Sequence, residues 1–120
     1  MQFKTLVRHE HLNQHGNLFG GYMLLWVDEF AYLAAIEDYP CERFVTRSME
    51  AASFTQSVKP GAVLTFTVTR KSIGNTSVTY DVDVTARDVS ARESYQAFHT
   101  SVTLCAVTPD GRKTPLPKPA

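Results

Sequence analysis

Two carboxylates stand side by side at Asp28 and Glu29, inside a run so apolar that either would be partly withdrawn from water. Asp28 has Leu24, Leu25, Ala31 and Tyr32 three and four positions away, and Glu29 has Leu25, Trp26, Tyr32 and Leu33. On a helix, each acid therefore shares its face with apolar neighbours. Desolvation raises a carboxyl pKa, moving such a group towards the basicity that deprotonates water near neutral pH. Local pattern does not choose between the two acids. Gly20 and Gly21 precede the same run. Their backbone N–H groups can approach a ligand without side-chain obstruction, at a helix end that carries positive partial charge. Such an end can hold an oxyanion, and one preorganised donor there contributes roughly 3 kcal/mol where charge builds on a carbonyl oxygen. Asn13, in a polar stretch upstream, offers an amide donor and a carbonyl acceptor, suited to orienting a water against the carboxylate.

Other chemistry-bearing residues form no comparable set. His9, His11 and His15 lie in the polar stretch 9–17 without a spaced pair such as H-E-x-x-H, so they point to neither a metal nor a catalytic triad. Cys41 and Cys105 are too few and too far apart for a metal motif and read as two buried thiols without a catalytic role.

These groups need a scaffold, and the sequence describes one. Residues 22–39 contain neither Gly nor Pro, enough for about five helical turns. Met23, Leu24, Leu25, Trp26, Val27, Phe30, Tyr32, Leu33 and Ile36 surround the axis, which predicts a helix buried on most sides. A β-prone run at 3–7 and four stretches rich in Val, Thr, Phe and Tyr, at 42–57, 63–72, 76–87 and 93–107, predict five strands. The plainest is Val78, Tyr80, Val82, Val84 and Ala86 alternating with Thr79, Asp81, Asp83, Thr85 and Arg87, a strand with one buried and one wet face. Pro60-Gly61 and Gly74-Asn75 read as turns between the runs, which makes the sheet largely antiparallel. One long helix against such a sheet is an α+β architecture, here a single domain over residues 1–120.

Asn13-Gln14-His15-Gly16-Asn17-Leu18-Phe19-Gly20-Gly21, followed by Val27-Asp28-Glu29, resembles the N-x-x-G-x-x-F-G-G motif and downstream acid of hotdog-fold acyl-CoA thioesterases, particularly the small bacterial enzymes of broad specificity. Residues 45–60, 74–77 and the tail from Asp110-Gly111 to Leu116-Pro117 continue the resemblance in the family's order. It implies a hotdog fold, a central helix wrapped by a five-stranded sheet, and hydrolysis of acyl-CoA to free acid and coenzyme A. Of the two acids it selects Asp28, as general base or nucleophile, with Asn13 as helper and the Gly20 amide as oxyanion donor beside Gly21. It places Thr46 where some relatives hold a hydroxyl near the attacking water. Lys71 with Gly74, Asn75, Thr76 and Ser77 resembles the hairpin that meets the nucleotide, and tight Gly turns expose N–H groups to phosphate. Arg70, Lys59 and Arg47 are weaker candidates. The resemblance also implies a homodimer, within a tetramer or hexamer, in which Asn13 and Asp28 of one site come from different subunits. It implies no cofactor and no metal. Many relatives carry His where Phe19 stands, and a hotdog hydratase would need a histidine paired with an acid near the helix, which disfavours that reaction. A non-catalytic acyl-CoA-binding module and a thioesterase acting on acyl-carrier protein share the same pattern and are separated from it by assay.

Composition sets the outer bounds. Lys and Arg number 12 and so do Asp and Glu, so no global charge excess points to nucleic acid or an anionic membrane. Any anionic ligand must be met locally. The longest apolar run, 22–27, is far shorter than the roughly 20 residues that span a bilayer, and Met1-Gln2-Phe3-Lys4 does not resemble a secretory signal, so a cytoplasmic location is expected.

Overall fold

In the computed structural model, which describes residues 1–120, the chain runs β1 (Gln2–Leu6), a single 3-10 turn (His9–His11), α1 (Gly20–Asp38), β2 (Phe44–Met49), β3 (Ser53–Phe54), β4 (Val63–Ile73), β5 (Ser77–Arg87) and β6 (Tyr95–Ala106). All pairings are antiparallel, in the order β1-β4-β5-β6-β2, with β3 also paired to β6. The fold class is α+β as anticipated, yet the sheet has six strands rather than five. The run 42–57 is interrupted because four steps from Met49 to Ser53 face only three on β6, from Val102 to His99. The surplus residue falls between them, where β2 ends and β3 begins.

Inward positions follow the period-2 pattern. On β5, Val78, Tyr80, Val82, Val84 and Ala86 are all buried, against Leu64, Phe66 and Val68 of β4 and Phe98, Val102 and Leu104 of β6. Phe66 sits at the centre of the contact with α1. Its ring lies 4.8 Å from that of Phe30 and 6.4 Å from that of Trp26, and no part of it reaches solvent. Phe66→Ala removes that contact and leaves a cavity, so urea denaturation should show a loss of about 3–5 kcal/mol. A loss below about 1 kcal/mol would mean that the helix and sheet are not held together at this point.

The helix differs from the expectation in two respects. It begins at Gly20 rather than Tyr22, so the two glycines are its first residues and extended Phe19 is the N-cap. A Cβ on Gly21 would come within 2.4 Å of the Phe19 ring, and one on Gly20 within 3.2 Å of the Phe54 ring. A side chain at 21 would thus make the Phe19 ring shift, and one at 20 would make the Phe54 ring give by a few tenths of an ångström, in a first turn whose N–H groups have no intrahelical partner in any case. Nor is the helix wrapped on most sides. Met23, Trp26, Val27, Ala31, Ala34 and Ala35 face the sheet, whereas Leu25 remains 57% exposed, Tyr32 39% and Leu24 38%. One sheet covers one side of a cylinder, and the opposite apolar side is left open. At the far end Pro40 disfavours helical geometry at Tyr39, whose N–H makes the closing bond to Ala35 O at 2.8 Å. Cys41, in the turn that follows, is exposed rather than buried, and only Cys105 of β6 is buried. No helix is long and apolar enough to cross a membrane.

Candidate functional site

The loop before α1 is organised by Asn13. Its Oδ1 accepts N–H bonds from His15 (2.9 Å) and Asn17 (3.2 Å), while its backbone N–H bonds to Asn17 O at 2.7 Å. Gly16, at φ +78°, takes the left-handed turn inside this knot. The side-chain carbonyl of Asn13 is therefore consumed by its own loop, which leaves the amide NH2 as the group able to meet a ligand. Sequence reasoning had allowed both. Leu18 N–H to Val58 O and Phe19 N–H to His11 O, each 2.8 Å, tie the loop to the connection between β3 and β4 and to the 3-10 turn, beside the helix start. Asn13 and Gly20 line one cavity of about 500 Å³, whose other walls include Met23, Phe54, Gln56 and Ser57. The N–H groups of Gly20 and Gly21 find no acceptor in the chain. Among the histidines, His11 accepts the Arg8 N–H at 3.0 Å and sets its ring against Tyr22 and Trp26.

Asp28 stands elsewhere. Eight residues beyond Gly20, at 1.5 Å per residue, it is about 12 Å further along the helix and does not line that cavity. It is half-buried, and Thr46 of β2 donates its hydroxyl to Asp28 Oδ1 at 2.6 Å. Glu29 is exposed and makes no side-chain hydrogen bond or ion pair. The two acids that local pattern left equivalent thus have different surroundings. Within one chain, Asn13 and Gly20 share a cavity, Asp28 and Thr46 share a hydrogen bond, and the two pairs are apart.

Gly74, Asn75 and Thr76 join β4 to β5, whose first residue Ser77 closes the turn by accepting the Gly74 N–H at 2.7 Å. Ser77 pairs with Cys105 and Phe54 with Phe98, so seven residues of β6 separate this hairpin from the cavity, about 24 Å at 3.4 Å per residue. Lys71 is the residue displaced by a bulge between Arg70 and Ser72, and its Nζ lies 3.8 Å from Asp81. Arg70 is paired with Asp38 at 3.2 Å, and Lys59 donates to Asn17 Oδ1 at 3.2 Å. Arg47 is exposed on β2 and makes no ion pair.

Asp38 also accepts the Tyr80 hydroxyl at 2.6 Å, a network that sequence reasoning missed because Tyr80 reads there as one more inward position of β5. Burial, and next the bond to Asp38, hold the Tyr80 proton far above the ordinary range. The unfolded chain loses that proton near the usual value of 10.0 while the folded chain keeps it. Its contribution is therefore complete below pH 10 and declines as the pH rises further. Tyr80→Phe should flatten the fall in thermal stability above pH 10; an unchanged slope would mean that other groups cause it.

Residues 15–91 match the thioesterase superfamily. The chain belongs to that superfamily. Protein VdlD of Helicobacter pylori is 30% identical over 106 residues, 88% of this chain but 60% of VdlD, so the chain spans well under the whole of that relative. The acyl-CoA thioester hydrolase YciA of Salmonella typhimurium is 27% identical over 117 residues, 95% of this chain and 87% of YciA. A hexameric hotdog-fold thioesterase of Campylobacter jejuni superposes with a TM-score of 0.87 at 33% identity, covering 96% of this chain and 88% of that one. The helix and curled sheet of this superfamily member are thus a hotdog fold.

Proposed function

We propose that the chain hydrolyses acyl-CoA thioesters at sites assembled from two subunits. The observation that carries this reading is the division of the candidate residues into two halves about 12 Å apart along α1, one holding Asn13 and the Gly20 amide and the other Asp28 with Thr46. Neither half is sufficient for hydrolysis. Leu24, Leu25 and Tyr32, exposed around Asp28, are a surface that a second copy would cover, joining one half from each chain. The hexameric description of the Campylobacter protein and the activity named for YciA support assembly and substrate.

In this site the Gly20 N–H donates to the thioester carbonyl oxygen and the Asn13 amide orients the attacking water. Asp28, held by Thr46, takes a proton from that water as its oxygen bonds to the carbonyl carbon. Negative charge on the carbonyl oxygen is stabilised by the helix N-terminus. The tetrahedral intermediate then collapses, the C–S bond breaks, and the thiolate of coenzyme A recovers the proton from Asp28. No added cofactor or metal enters the scheme. Free-thiol release from a panel of acyl-CoA chain lengths should show turnover with the purified protein alone. Binding without thiol release would establish a non-catalytic acyl-CoA module instead, and activity lost to a chelator and restored by zinc would remove this mechanism.

A further inference from the structure

One wall of the cavity that holds Asn13 and Gly20 is not accounted for by core packing. Phe54 belongs to β3, a strand of two residues, and is held there by β6: it pairs in register with Phe98, and the next residue, Thr55, donates its N–H to Ala97 O at 3.0 Å. Its ring rests on the fully buried ring of Phe98, with centroids 4.6 Å apart. One side of Phe54 is thereby fixed. The residue nevertheless remains 52% exposed, a large apolar group left open beside the cavity it lines.

The ring meets the helix start by its far edge. A Cβ built on Gly20 would lie 3.2 Å from Phe54 Cζ, 3.6 Å from Cε1 and 3.9 Å from Cε2. Cζ is therefore within about 6 Å of the Gly20 nitrogen, whose N–H has no acceptor in the chain. A carbonyl oxygen bonded to that N–H at about 3 Å carries its α carbon about 5 Å from the same nitrogen. The α carbon of a bound acyl group and the edge of the ring thus lie within about 6 Å of one atom, in one cavity. Met23, one helical turn beyond Gly20 on the same face, lines that cavity too, as do Leu18 and Val58. These apolar members of the lining suit the hydrocarbon side of a thioester. An unbranched acyl group presents only hydrogens at its α carbon. A methyl group there matches in size the Cβ for which the ring would have to give way, and close-packed surroundings resist even one added methyl.

We propose that Phe54 sets acyl specificity at the α carbon, admitting unbranched acyl groups and excluding those with an α-methyl branch. This rests on the thioesterase reading above, with the Gly20 N–H as oxyanion donor. The test compares butyryl-CoA with isobutyryl-CoA, isomers that differ in the α branch, for the wild type, Phe54→Leu and Phe54→Ala. The wild type should favour butyryl-CoA in kcat/KM by about tenfold or more, the usual discrimination over one methyl-sized group in an apolar pocket. Both variants should bring that ratio within about threefold, while kcat/KM for butyryl-CoA itself falls as the apolar contact shrinks. A wild type that hydrolyses isobutyryl-CoA as well as butyryl-CoA, or better, overturns the proposal. So do variants that lose activity on both isomers in equal proportion, which is the result expected if the ring only supports the fold. Phe54→Leu keeps an apolar side chain on Phe98, so it decides alone on the same criterion if Phe54→Ala unfolds. Turnover of butyryl-CoA without discrimination leaves the thioesterase reading intact and removes this one. Absence of turnover on both isomers and on every other chain length overturns both.

Discussion

Asp28→Asn should lower kcat by about 100-fold or more, the usual cost of removing a general base, while leaving the fold intact. The substitution is close to isosteric, and an asparagine Oδ1 can still accept the Thr46 hydroxyl that now reaches Asp28 at 2.6 Å. What disappears is the capacity to take a proton from water. The paired measurement is Glu29→Gln. Glu29 is exposed and unpartnered, so its loss should change kcat by less than about twofold, in line with ordinary surface substitutions. The comparison is informative because both acids sit among apolar neighbours in the sequence and differ by one residue, 100° of helix rotation. A crippled Glu29→Gln with a mild Asp28→Asn would transfer the base to the other acid and leave the Thr46 contact without a catalytic purpose. Circular dichroism and thermal melting of both variants should match the wild type, so that a drop in rate is read as chemistry.

Where the sequence was legible, one local signal was enough. The β5 strand could be read because strict alternation places Val78 through Ala86 on one face whatever its neighbours are, and each of those residues is buried. The body of α1 could be read because eighteen residues without Gly or Pro leave few alternatives. Its start could not. Glycines ordinarily mark the outside of a helix, and these two pack close to the rings of Phe19 and Phe54, the latter more than thirty residues away in sequence. The break between β2 and β3 was equally hidden, since it goes with a register shift against β6 that residues 42–57 alone do not show. In the candidate site, Asn13 and the glycines stood out because the roles proposed for them rest on a loop and a helix start encoded within nine residues. Pattern could not separate Asp28 from Glu29, because what distinguishes them is a hydroxyl from another element. For the same reason the commitment of Arg70 to Asp38 was invisible, since those residues meet only when β4 passes the end of α1.

An equal mixture of Asn13→Ala and Asp28→Asn proteins, each nearly inactive alone, should recover about a quarter of wild-type activity after their subunits exchange. The structure puts Asn13 with Gly20 in the cavity and Asp28 with Thr46 about 12 Å further along the helix, so under the proposed mechanism a single chain would offer two incomplete halves. If each site takes one half from either chain, every site in an Asn13→Ala homodimer lacks the amide and every site in an Asp28→Asn homodimer lacks the base. Random exchange makes about half of all dimers mixed, and two-fold pairing gives each mixed dimer one doubly substituted site and one intact site. Roughly half of the dimers, each with half of its sites working, gives the quarter. The count also holds in a hexamer built from three such dimers, because sites are then shared only within a dimer. The measurement is thiol release after co-refolding, with differently tagged chains showing by affinity capture that mixed dimers have formed. Recovery near a quarter fits sites shared across the helix-to-helix surface of Leu24, Leu25 and Tyr32. Captured mixed dimers without recovery would require Asn13 and Asp28 to act within one subunit, which their separation along a rigid helix opposes, or would remove one of them from the site.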